Sequence, residues 1–212
     1  MNPFPVILSA PSGAGKTTIA RRLLETRGDV GYSISATTRL RRPHEVEARD
    51  YFFLSDEEFT RRERAGEFAE SAEVHGRRYG TLRREVERVL AAGRHVVMAI
   101  DVQGARQFRA AFPVSVLVFV LPPSVEVLAA RLRARNTESE ELIERRLRTA
   151  LQEIEAVQEY DYVVINDELE VAAAQVSAII DAEMARAGRV RGIEQTVATL
   201  VADLRRVISA KK

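Results

Sequence analysis

The chain contains no cysteine, three histidines and only three lysines. Without cysteine there is no disulfide framework, no thiol nucleophile and no thiolate metal site. The histidines, His44, His75 and His95, stand in unrelated contexts, which argues against a His-built metal cage. An excess of either charge is lacking as well: 32 Lys and Arg face 31 Asp and Glu, a formal net charge of +1. That balance argues against a dedicated nucleic-acid or membrane-surface binder, although local basic patches remain open. Long apolar runs are also missing. The best candidate, Ala110 to Val125, is too short for a membrane span and is broken by Pro113, Pro122 and Pro123. Met1 to Gly15 lacks the basic start of a secretory signal. The expectation is a cytoplasmic protein with neither membrane nor nucleic acid among its partners.

What is present is an ordinary globular composition. The 212 residues are 46% hydrophobic, enough for one or two domains with a core. The cations are lopsided, 29 Arg to 3 Lys. Lys211 and Lys212 close the chain, so Lys16 is the one lysine elsewhere.

Short apolar runs alternate with longer amphipathic stretches, the pattern of a parallel α/β sheet flanked by helices. Strands are expected at Val6–Leu8, His95–Asp101, Val114–Leu121 and Tyr162–Ile165. Helices are expected at about 16–27, 82–92, 125–134, 140–160 and 169–187. The stretch from about Ser33 to Gly80 breaks this rhythm, with strand-like pieces at 32–36, 51–54 and 68–74 and a helix opened by a Ser55/Glu58 capping box. It reads as a small α+β insertion. Ile193, Val197, Leu200, Val201, Leu204, Val207 and Ile208 mark one face of a final helix. That face is expected to dock on the chain's own core, with dimerisation as the alternative.

Ser9 to Thr18 reads SAPSGAGKTT, a phosphate loop of the A-x-x-x-x-G-K-T type with Ala10 at the usual first glycine. It follows a buried strand and opens a helix, the context the motif requires. Ser12, Gly13, Ala14 and Gly15 would turn backbone N–H groups toward phosphate oxygens, aided by the helix N-terminus. Lys16 would offer a compact charge to the β- and γ-phosphates; Thr17, followed by Thr18, would offer a hydroxyl to Mg²⁺. Asp101, at the end of HVVMAID, fits a metal-linked carboxylate. A nucleoside triphosphate with Mg²⁺ is the expected ligand.

The acceptor clues lie in the insertion. Thr37 to Pro43 sets three arginines beside two hydroxyls, and Asp50-Tyr51 and Tyr79-Gly80-Thr81 add further hydroxyls. Arginine forks and tyrosyl hydroxyls suit a phosphate dianion. Gly66-Glu67-Phe68-Ala69-Glu70 puts a carboxylate on a strand-like stretch. A carboxylate accepts from guanine N1–H and its 2-amino group, donors that adenine lacks.

Taken in order, APSGAGKTT, SISATTRLRRPHEVEARDY, GEFAESAEVHGRRYGT, AIDVQGA, LPPS, RLRARNTESEELIERRL and YDYVVIND make the sequence resemble the guanylate kinases from about Val6 to Ala187. The resemblance implies a P-loop core at 1–34 and 96–190 with a lid at about 131–148. It places the GMP-binding insertion and return helix at 35–95, leaving 191–212 as an amphipathic tail. It implies ATP + GMP → ADP + GDP with Mg²⁺, in purine nucleotide metabolism, on GMP and dGMP, with a homo-oligomer possible. Arg39, Arg42, Tyr51 and Tyr79 would hold the GMP phosphate; Ser35, Glu70 and Thr81 would read guanine, with Asp101 at the base or metal side. Glu45 and Asp50 would support the clamp. Arg131, Arg135 and Arg146 would close over the phosphates, and Asn166 would lie near adenine. Ala99 stands where the family carries an acid, His44 and Ala48 where it carries glycine, and Ser71 where it carries tryptophan. Residues 99 and 101 are expected on one side of the strand. Two alternatives are a ribose-bisphosphate kinase on the same scaffold and a non-catalytic interaction module; the intact Gly15-Lys16-Thr17 argues against the second.

Overall fold

Five short strands run parallel in the order β2-β7-β1-β8-β9: Val30–Gly31, His95–Ala99, Pro5–Ser9, Val116–Leu121 and Tyr162–Ile165. The computed structural model describes residues 2–74, 76–134 and 140–210. β1 is buried along its whole length because both its faces are covered. Val6 and Leu8 face the cluster that includes Ile19 and Leu23 of α1 (Lys16–Thr26) and Val176 and Ile180 of α7 (Leu169–Met184). Ile7 faces Val86 and Val89 of α3 (Arg83–Ala91) and Phe108 of α4 (Val102–Ala111).

The insertion forms a second sheet of order β4-β3-β6-β5, from Phe52–Phe53, Ser35–Thr37, Arg77–Leu82 and Phe68–Val74. β6 runs antiparallel to both β3 and β5. α2 (Asp56–Arg64) covers it, with Phe59 buried and stacked on Phe68. Ser55 caps α2 by accepting the Glu58 N–H, as the capping box requires. α5 (Val125–Arg133) and α6 (Glu140–Glu155) pack on each other through Leu128, Leu132 and Ala150.

The expected strands are present, with β7 ending at Ala99 rather than Asp101. The expected helix 140–160 ends at Glu155 and tightens into a 3-10 turn over Ala156–Glu159. β2, β6 and α4 are additions to the sequence reading.

The tail departs from expectation. α8 (Ile193–Ser209) buries none of its residues, and Leu200, Leu204, Val207 and Ile208 are all exposed. The core that it was expected to cover is already closed by α7 and by Arg189, which lies over the Phe4 ring and pairs with Glu183. Gly192, at φ 72°, then turns the chain into α8.

Candidate active site

The phosphate loop spans the end of β1 and the start of α1. Gly13 and Gly15 both lie in the left-handed region, at φ 93° and 97°. A Cβ on Gly15 would come within 2.2 Å of the Asn166 amide nitrogen. That amide donates to the Ala14 carbonyl at 2.7 Å, so Asn166, itself buried, braces the loop from β9's end. The Ala10 methyl group packs into the core. The Lys16 ammonium donates to the Ala10 carbonyl at 3.1 Å, and Thr17 and Thr18 stand exposed on the first turn of α1.

Beyond the loop, Gly13, Gly15, Thr18, Arg131 and Asn166 line one cleft. Arg131 donates to the Asn166 and Asp167 carbonyls. Arg146 is half-buried on α6. Arg135 lies outside the described residues.

On the insertion, the register places Ser35 opposite Thr81 and Thr81 opposite Glu70, three polar residues in one row across three strands. A register shift between Phe68 and Glu70 sets that alignment. Thr81 Oγ1 donates to Glu70 Oε1 at 2.6 Å, and both side chains are buried. Burial pushes the Glu70 carboxyl above its ordinary range; the Thr81 hydroxyl opposes this and the Asp101 charge adds to it. Gly104 makes room for the pair: a Cβ there would sit 3.1 Å from Glu70 Oε2 and 3.3 Å from Asp101 Oδ1. Gly80 is likewise required, because a Cβ would approach the Glu70 carbonyl to 2.9 Å.

A second cluster forms at the loop after β3. Arg39 grips Glu45 with both nitrogens, at 2.6 and 3.1 Å, and lies 5.5 Å from the Tyr51 ring centroid. Tyr51 meets Tyr79 edge to face. The Arg42 backbone N–H also donates to Glu45, at 2.8 Å, while the Arg42 side chain stands exposed. Arg39 foremost, then the Arg42 N–H, pull the Glu45 carboxyl down to about 2. Glu45 thus accepts from both Arg39 and the Arg42 backbone at the centre of the cluster. Asp50 accepts the Val46 N–H at 2.7 Å and shapes the same loop.

Thr17, Ser35, Tyr51 and Ala99 line one cleft of about 440 Å³ between α1 and the second sheet. Asp101 lines a different one of about 400 Å³ with Gln103, Thr149 and Glu153. The expectation that 99 and 101 share a side is therefore corrected. β7 stops at Ala99, so strand alternation does not reach Asp101, which instead caps α4 by accepting the Gly104 N–H at 2.7 Å.

The sequence reading missed two residues here. The Ser33 hydroxyl is buried without a partner and lines the larger cleft. Glu153 shares the Asp101 cleft. Only the helical spacing of α6 could have pointed to Glu153, and spacing alone does not mark a site residue.

A phosphate loop at the head of a parallel sheet, facing a second sheet with a buried polar row, defines a P-loop phosphotransferase. The family model described as guanylate kinase matches residues 2–183. The guanylate kinase of Anaeromyxobacter dehalogenans (strain 2CP-C) is 53% identical over 187 residues, covering 87% of this chain and 83% of that one. That of Chelativorans sp. (strain BNC1) is 49% identical over 199 residues, covering 93% and 91%. The crystal structure of guanylate kinase from Anaplasma phagocytophilum superposes with a TM-score of 0.73 at 34% identity, covering 93% of this chain and 94% of that one. The chain belongs to the guanylate kinase family.

Proposed function

We propose that the chain moves the γ-phosphoryl group of ATP in line onto GMP or dGMP, giving ADP and the nucleoside diphosphate. The observation that carries this reading is the buried Glu70 carboxylate. It is held by Thr81, aligned with Ser35, and belongs to the same small sheet as Tyr79 of the Arg39–Glu45 cluster.

Glu70, Thr81 and Ser35 read guanine, with Asp101 beside Glu70. Arg39, Arg42, Tyr51 and Tyr79 take the GMP phosphate. ATP lies along Ser12 to Thr18, with Arg131 over its phosphates and Asn166 on the adenine side. Phosphoryl transfer needs positioning and charge neutralisation rather than a side-chain nucleophile. Lys16, Arg39, Arg135 and Arg146 neutralise the transferring group, and closure of the lid stretch 131–148 excludes water that would otherwise hydrolyse ATP. In this reading 1–34 and 96–190 form the ATP side and 35–95 the GMP side.

Magnesium fits the donors present. Thr17 offers a hydroxyl on the larger cleft and Asp101 a carboxylate on the other, each a hard ligand of the kind Mg²⁺ takes. The ion would supply charge neutralisation at the phosphates. A titration of Mg²⁺ against the rate of ADP release from ATP and GMP tests this, and turnover unchanged in excess chelator would refute it.

Among the described residues no helix is long and apolar enough to cross a membrane. A cytoplasmic role in purine nucleotide metabolism follows from the substrate pair. The exposed face of α8 is read as pairing with a second copy. Val197, Leu200, Leu204 and Val207 alternate at spacings of three and four, a coiled-coil seam.

A further inference from the structure

Glu153 is the carboxylate for which the reaction so far has no use. It sits half-buried on α6, the helix that also carries Arg146, and faces the cleft that Asp101 lines. Its Oε2 atom is buried with no hydrogen-bond partner. The Ser12 backbone N–H and the charges of Lys16 and Asp101 all bear on the carboxylate. Burial pushes this carboxyl above its ordinary range, and Lys16 pulls it back down. A half-desolvated carboxylate with one unmet oxygen is a poor structural choice, because a glutamine or an apolar residue at that turn would carry no buried charge. What the position gains from a charge is the lysine opposite.

Lys16 has three donors, and one of them goes to the Ala10 carbonyl within its own loop. The carboxylate therefore bears on both the loop backbone, at Ser12, and the loop's cation. We propose that Glu153 is a positioning residue for phosphoryl transfer. It fixes the turn at Ser12 and orients the Lys16 ammonium, and it joins both to the helix that brings Arg146. The inference rests on reading Ser12 to Thr18 as the ATP site. It differs from a metal-ligand role for the same residue, because it needs only the loop and the lysine.

The consequence is a split between binding and turnover. Removing a negative charge beside the triphosphate site does not weaken its attraction for ATP, but it removes the carboxylate whose charge acts on Lys16. Glu153→Gln keeps the shape and an acceptor for Ser12; Glu153→Asp keeps the charge. Steady-state kinetics with ATP and GMP, calorimetric ATP binding and thermal melting of the three full-length proteins test the idea. Expected for Glu153→Gln is a kcat lower by about tenfold, with ATP affinity equal or tighter and KM for GMP within about twofold. Glu153→Asp recovers part of that kcat. A Gln variant with wild-type kcat overturns the proposal, as does a loss that tracks a fall in melting temperature and raises both KM values together. If the wild-type protein itself binds no ATP, the reading of the loop fails, which is a separate result.

Discussion

Thr81 and Glu70 face each other across adjacent antiparallel strands, with the threonine hydroxyl donating to the buried carboxylate at 2.6 Å. The bond orients Glu70 Oε1 and leaves Oε2 beside Asp101 and Gly104. A buried ionised acceptor without its donor partner is costly, so this geometry favours a base that donates twice.

Replacement of Glu70 by Gln keeps the Thr81 contact and removes the charge. The expected result is a fall of about 10²-fold in kcat/KM for GMP, the size of losing charge-assisted bonds worth about 3 kcal/mol, with ATP affinity unchanged. Parallel kinetics with GMP and AMP check it. An unchanged ratio between the two acceptors would move guanine recognition away from this row.

Glu45 is expected to matter as much as the arginine it holds. Glu45→Gln leaves Arg39 without its bidentate partner and should raise KM for GMP by about tenfold at constant KM for ATP. The pH dependence follows from its depressed carboxyl. The pair's contribution is present above the ordinary range near 4.5 and is lost as pH falls through about 2. Glu45 therefore adds no change in GMP affinity between pH 8 and pH 5. A wild-type KM for GMP whose rise over that interval disappears in Glu45→Gln would contradict the assignment.

Ala48 is the non-glycine residue with a positive φ among those described, at 57°, and it stands where the family carries glycine. A Cβ in that region costs about 1–2 kcal/mol, partly offset by the greater freedom that glycine has in the unfolded chain. Ala48→Gly should stabilise the protein by roughly 0.5–1 kcal/mol in urea unfolding. A lower midpoint would show that the turn is held without strain.

For α8, light scattering of the full-length protein should report a dimer. Leu200→Glu with Leu204→Glu should give a monomer of unchanged turnover, because the face lies outside both clefts. A wild-type monomer would remove the pairing.

The parts legible in the sequence were those fixed by local pattern. The apolar runs of β1, β7 and β8 and the glycines of the phosphate loop have one physical use each, and the structure places them as expected. β6 was hidden because Arg77 to Leu82 neither alternates nor runs apolar, and Gly80 lies inside it. That strand nevertheless aligns Ser35, Thr81 and Glu70, so the row itself was legible only through resemblance. α4 was masked by Gly104, a helix-weakening residue retained because Glu70 and Asp101 press against it. The loop brace from Asn166 depends on a contact across 152 positions that no local pattern encodes. The tail failed for another reason: periodicity shows that a helix has an apolar face, not what covers it.

The central claim is that a P-loop donor site faces a guanine-reading acceptor site. The most direct test is the initial rate of ADP formation by the wild-type protein from ATP with GMP, AMP, UMP or ribose 1,5-bisphosphate as sole acceptor. The account predicts turnover with GMP at a kcat/KM at least about 10³-fold above every other acceptor. Equal or faster turnover with AMP or with the ribose bisphosphate would contradict it.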